Sequence, residues 1–165
     1  MSIFRPTGQV YTAVFTGVAV TAAQDLFEIT TPATTCVRIR EIRLGQYSDF
    51  GDAQAEILSV QMITGYTVTG SGGSTITPAI VNRPSTAVAA STVKANNTTV
   101  ANTGTAVTLY SDAWNVQGGW WYCPNEQEML IIGLSTRFVI RSTAPADSLT
   151  MNGTLVFEEI GHMVL

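Results

Sequence analysis

The run Ser148 to Ile160, SLTMNGTLVFEEI, constrains the fold more than any other stretch of this chain. Leu149, Met151, Leu155 and Phe157 share one parity, and Ser148, Thr150 and Thr154 share the other, which is the period of a strand with one buried face. Within it, Asn152-Gly153 is the strongest two-residue hairpin signal in the sequence and taken alone predicts a type I′ turn. The alternation runs straight through that dipeptide, so a single long strand to Ile160 accounts for every position. Gly153 then marks a place where another backbone or a bulky ring approaches closely. A strand this long needs partners, and the rest of the chain supplies them.

The same period recurs along the sequence. Val10 to Ala23, VYTAVFTGVAVTAA, follows Arg5 and superficially resembles a secretory signal. Thr12, Thr16 and Thr21 interrupt its apolar run, and Pro6 and Gly8 separate it from the arginine, so it is read as a strand buried on both faces. A short strand near Leu26 to Thr30 stops at Pro32, which has no N–H for a ladder. In Cys36 to Leu44, Val37 and Ile39 point one way while Ile42 and Leu44 have the opposite parity. A β-bulge at Arg40/Glu41 restores the phase and aligns Arg38, Arg40 or Glu41, and Arg43 on one polar face. That face is read as solvated, with a basic stripe docking on an acidic partner as the functional alternative.

Ala55 to Thr64 is a central strand, with Leu58, Val60 and Met62 opposite Ser59 and Gln61. Further strands are predicted at Thr105 to Tyr110, Glu128 to Ile132 and Arg137 to Ser142. Residues 65–104 differ in character: GSGGS at Gly70 to Ser74, Pro78, Pro84, and runs of Ala, Ser, Thr and Asn. A connection of about 40 residues exceeds the length of ordinary structureless loops. Ordering it costs about 1–2 kcal/mol per residue, and it has few bulky apolar side chains to offset that. The expectation is therefore one domain over 1–165, with 65–104 an extended arm or long loop held by a neighbouring subunit. Gly70, Gly72 and Gly73 are its candidate partner contacts, together with Arg38, Arg40 and Arg43.

All three tryptophans fall in Ser111 to Cys123, SDAWNVQGGWWYC. Gly118-Gly119 gives a turn before Trp120, and Pro124 ends pairing. Burying one tryptophan removes about 150–250 Å² from water. Trp114, Trp120, Trp121 and Tyr122 are accordingly the candidate structural anchor, and at least two of the tryptophans are expected to be buried. If exposed instead, they suit stacking on sugar rings.

Reactive chemistry finds little footing. The single histidine, His162, stands near the end of the sequence, where rigid positioning beside a serine or cysteine is not expected. No G-x-S-x-G elbow, P-loop or dinucleotide fingerprint is present. One His with Cys36 and Cys123 far apart makes no zinc signature, and Asp49 to Asp52, DFGD, is a poor fragment of a calcium loop. Pairs among Glu126, Glu128, Glu158 and Glu159 are read as solvated acids rather than glycosidase carboxylates. The chain thus reads as non-enzymatic, with no cofactor and no metal. A net charge of −4 with a single lysine, Lys94, argues against nucleic acid, and no stretch reaches the 18 apolar residues of a membrane helix. The cysteines are expected to be free thiols, and the N-x-[ST] triplets at Asn96, Asn97 and Asn152 ordinary loop composition.

Two segments, DAWNVQGGWWYCPNEQE (Asp112 to Glu128) and APADSLTMNGTLVFEEIG (Ala144 to Gly161), together resemble small virion proteins of tailed bacteriophages. In those proteins a similar NVQ-G-W-Y-P stretch precedes a terminal TLVFEEIG strand after a Gly/Thr-rich middle. Cys123 and the low-charge middle depart from that pattern. The resemblance implies a capsid decoration, or cement, protein of all-β, jelly-roll-like β-sandwich fold on the outer capsid surface, bridging neighbouring subunits. Its implied partners are the major capsid protein and other copies of itself, a trimer being one form. The alternative is a carbohydrate- or receptor-binding β-sandwich module of a phage tail. Eight or nine short strands with turn signals suit either.

Overall fold

The computed structural model describes residues 8–47 and 56–161. His162 and Asp49 to Asp52 lie outside them. The described residues form twelve strands: β1 (Gln9–Val20), β2 (Gln24–Thr30), β3 (Thr35–Gln46), β4 (Ile57–Val68), β5 (Ser74–Ile76), β6 (Ala79–Ile80), β7 (Thr92–Asn97), β8 (Asn102–Asn115), β9 (Trp120–Tyr122), β10 (Ile131–Ile132), β11 (Arg137–Ser142) and β12 (Leu149–Gly161).

One sheet runs β10-β3-β12-β1-β6, with β9 on the same edge of β3 as β10, and the other runs β5-β7-β2-β11-β4-β8. Every pairing is antiparallel. Leaving out β5 to β7, and taking β9 and β10 as two halves of one edge strand, the sheets reduce to β1-β12-β3-β9/β10 and β2-β11-β4-β8. The chain changes sheet at each successive link except β4 to β8, which are neighbours. That is the strand order of a jelly roll.

The core lies between the inner faces. Tyr11 and Phe15 of β1, Phe27 and Ile29 of β2, Val37, Ile39, Ile42 and Leu44 of β3, and Leu58, Val60 and Met62 of β4 meet Phe138 and Ile140 of β11 and the alternate residues of β12. Each such side chain contributes about 1.5–3 kcal/mol by leaving water. The last strand behaves as its alternation requires. β12 is unbroken through Asn152-Gly153, inserted between β1 and β3. A methyl at Gly153 would collide with the rings of Phe15 and Phe27, so the glycine is set by ring packing and no turn forms.

The bulge in β3 falls at Arg40. Glu41 pairs with Val156 and Ile39 with Phe157, so Arg40 has no counterpart in β12 and both apolar pairs face inward. β1 differs from expectation. Only one of its faces is buried, with Tyr11, Ala13 and Phe15 inward and Val14 and Thr16 outward. A register shift between Phe15 and Val18, with Gly17 at φ 62°, resets its phase. β2 is the strand buried on both faces, because the middle of the chain covers its outer side.

The expected arm is the largest correction. Within 65–104 lie the end of β4, all of β5, β6 and β7, and the start of β8. β7 pairs with β2, β5 pairs with β7, and β6 pairs with β1, so the segment is held by this chain's own sheets. Bulky apolar side chains are few there, but backbone ladders and buried polar bonds to β2 substitute for them. A second correction concerns Glu128 to Ile132. Only Ile131–Ile132 pairs with β3, because the Asn125 side chain accepts the N–H groups of Gln127 and Glu128 and holds a turn.

Candidate interaction surface

Alternation along β9 sends Trp120 and Tyr122 into the sandwich and Trp121 out of it. Trp114 and Trp120 are each 6% exposed, whereas Trp121 is 64% exposed. Trp120 stacks on Tyr122 at 6.3 Å and 16°, and Tyr110 meets Tyr122 edge-on at 5.1 Å. Asp112 ties this cluster to β8. Its carboxylate accepts the Trp120 indole N–H at 3.0 Å, the Tyr110 hydroxyl at 3.2 Å and the Ala113 N–H at 2.8 Å. Those donors, the indole foremost, hold the Asp112 carboxyl below the ordinary carboxylate range. Tyr110 is raised, first by burial and then by Asp112. Of the four aromatic residues singled out in the sequence, three pack inward and one, Trp121, stands on the surface.

Trp121 is nonetheless fixed in place. Its indole N–H donates to Glu41 Oε1 at 2.9 Å, and the Arg43 guanidinium lies over its ring at 5.1 Å from the centroid. Arg43 in turn is ion-paired to Glu41. Register carries this group across the sheet: Trp121 is opposite Arg43, Arg43 opposite Thr154, and Thr154 opposite Val14. The outer face of the first sheet therefore presents a row of Val14, Thr154, Arg43 and Trp121 drawn from four strands. A cation stacked on an exposed indole gains about 0.5–1 kcal/mol, enough to bias the ring toward one orientation.

Arg38 and Arg40 are brought together a few residues away, but on a single acid. Glu158 of β12 is fully buried and accepts from Arg40 Nη1 at 2.9 Å, Arg38 Nη1 at 3.3 Å and the Gly8 N–H at 3.2 Å. The polar stripe read from β3 is thus partly satisfied within the molecule. Two guanidinium groups on one carboxylate leave one positive charge unmatched within that group.

Gly70, Gly72 and Gly73 lie apart from this group, on the second sheet. Side chains at Gly70 or Gly73 would run into Asn97 or the backbone of Ala95 and Asn96, and Gly72 has φ 82°. The Gly70 N–H donates to Glu28 at 2.9 Å. These glycines serve a close approach within the chain. Around them is a set of buried polar residues that sequence reading passed over. Glu28 accepts from Asn97 Nδ2 at 2.8 Å and faces Arg137 Nε at 3.6 Å. Asp25 accepts from Arg141 Nε at 2.7 Å and from the Ala101 N–H at 2.6 Å. Burial raises the Asp25 carboxyl, with the Arg141 hydrogen bond opposing. Arg141 also lies over the Tyr66 ring. The signal available in the sequence was QDLFEIT, two acids inside an apolar run of a chain with only 12% charged residues.

The triplet asparagines lie in strands rather than loops, Asn96 and Asn97 in β7 and Asn152 in β12. Asn96 and Asn97 are buried, and Asn152 Oδ1 accepts the Gly17 N–H at 2.8 Å. Cys36 is buried and Cys123 exposed, both as free thiols.

No protein-family model matches this sequence, and no curated protein matches it. Among solved structures, one of maize chlorotic mottle virus from single-particle analysis is 11% identical over 96% of this chain and 97% of that chain, at a TM-score of 0.30. One of the T13 particle of infectious bursal disease virus is 14% identical over 94% of this chain and 40% of that chain, at a TM-score of 0.16. Overlaps this loose carry no argument about function. The all-β, jelly-roll assignment rests on the strand order itself.

Proposed function

We propose that this protein is a non-enzymatic structural component of a virion that decorates the outer surface of a phage capsid and stabilises it by bridging neighbouring capsid subunits. The resemblance of Asp112 to Glu128 and of Ala144 to Gly161 to phage virion proteins supports this reading, and the jelly roll is the fold that the resemblance implied. The observation that carries it is Trp121, an indole 64% exposed yet fixed by Glu41 and Arg43. Tryptophan and arginine dominate binding hot spots, and a side chain ordered before contact loses less entropy on docking. The major capsid protein is the partner, and this protein acts as a homo-oligomer.

Adding the protein back to shells that lack it tests the reading. Shells with wild-type protein should survive heating that disrupts bare shells, and Trp121→Ala should weaken binding at least tenfold with folding intact. If loaded and bare shells fail at the same temperature, the decoration role is wrong. A second reading is favoured by the same exposed ring: Trp121 beside Glu41 suits stacking on a sugar. Glycan binding that Trp121→Ala abolishes would select the receptor-binding alternative.

A further inference from the structure

We infer that the free edge of β8 pairs antiparallel with β8 of a second copy of this chain, joining the two β5-β7-β2-β11-β4-β8 sheets edge to edge about a two-fold axis. This deepens the homo-oligomer part of the reading above and rests on that part alone.

The argument begins from how the sheets end. Three of the four edges close on very short strands: β5 with three residues, β6 with two, and β9 and β10 with three and two. Short edge strands are a common guard against unwanted pairing. The fourth edge is β8, at 14 residues the longest strand among the described residues, about 48 Å at 3.4 Å per residue. Among the described residues no strand pairs with its outer side.

Most edge guards are also missing from it. Asn102–Asn115 contains no Pro, Lys or Arg, and its one charged residue, Asp112, is turned to Trp120, Tyr110 and the Ala113 N–H. Two register shifts against β4 twist the strand, but a twist leaves the outward N–H and C=O groups available. Nearly every β8 residue is exposed, including Val107 at 49% and Leu109 at 38%.

The composition also selects the occupant. A strand carrying one carboxylate can pair with itself in any antiparallel register without opposing like charges, except the register centred on Asp112. Centring the axis on Thr108 sets Val107 of each copy opposite Leu109 of the other and Asp112 opposite Gly104. The same edge on both copies closes the interface at two chains, an isologous contact. A trimer would need a different surface.

Sedimentation equilibrium of the purified full chain tests this without any shell present, so the result is independent of capsid binding. Wild type is expected at twice the 17.6 kDa chain mass. Val107→Lys with Leu109→Lys should raise the dissociation constant at least tenfold. Val88→Lys, exposed in the connection before β7, should leave it unchanged. Hydrogen exchange on wild type gives a second readout: amides of Asn102–Asn115 should gain protection as protein concentration rises. A wild-type monomer at high micromolar concentration, a trimer, or a dimer indifferent to the two lysines would each overturn the inference. Should the lysine variant fail to fold, concentration-independent exchange in β8 overturns it instead.

Discussion

Gly153 shows how much one missing methyl can decide. The rings of Phe15 and Phe27 occupy the space a Cβ would need, and their centroids lie 5.0 Å apart. Gly153→Ala should destabilise the fold by about 1–3 kcal/mol, the usual cost of overpacking. Urea unfolding measures this, and a loss under about 0.5 kcal/mol, the scatter of neutral surface changes, would mean that the rings simply move aside. Asp112 offers a residue-scale test in pH. Its carboxyl is lowered by hydrogen bonds, chiefly from the Trp120 indole. The stability it lends is therefore present above the ordinary carboxylate pKa of about 3.9 and is lost as pH falls through its own, lower value. In a Trp114→Phe, Trp121→Phe background, Trp120 emission should change with a midpoint below about 3.9. A midpoint above that would contradict the donor arrangement.

At the level of elements, legibility followed periodicity. β12 and the bulge of β3 were readable because parity is a hard constraint: Ile39 and Ile42 cannot both face the core without one extra residue between them. Arg40 is that residue. Deleting it leaves Val37, Ile39, Ile42 and Leu44 in one unbroken alternation and removes only the Arg40–Glu158 ion pair, so the expected result by circular dichroism is a cooperative unfolding transition retained at a lower temperature. A deletion variant with no cooperative transition would show that Arg40 does more than take up the extra position. β1 was misread because alternate Thr and Val side chains look alike whether water or protein lies outside them. β5, β6 and β7 were not legible at all. Their strands are two to six residues long, and they are fixed by partners far away in sequence rather than by their own pattern. Trp121 was grouped with buried neighbours because adjacency in sequence hides the alternation of a three-residue strand.

For the molecule as a whole, the middle segment is fastened to the outer side of the second sheet by buried acids. Glu28 and Asp25 each hold arginine on one side and this segment's backbone on the other. Breaking one partner of such a pair is costly, about 3–5 kcal/mol when fully buried, and less here because Arg137 and Arg141 keep some exposure to water. Glu28→Gln should therefore speed hydrogen exchange selectively across residues 69–101, with β12 still protected. Uniform acceleration would mean that the segment is part of one cooperative unit. Neither acid could be assigned from sequence, since nothing local says that an outward residue of β2 will be roofed over.

The position of β11 and β12 has a consequence for synthesis. They are the last two of the twelve strands to be made, yet each sits inside its sheet, β12 between β1 and β3 and β11 between β2 and β4. Until both emerge from the ribosome, four long strands wait with apolar faces and unpaired backbone, so neither half of the sandwich can form early. Closure of both sheets therefore waits on β11 and β12, and runs on the millisecond-to-second scale of non-local β pairing. Until then the apolar faces of β1 to β4 are where a partly made chain is open to aggregation.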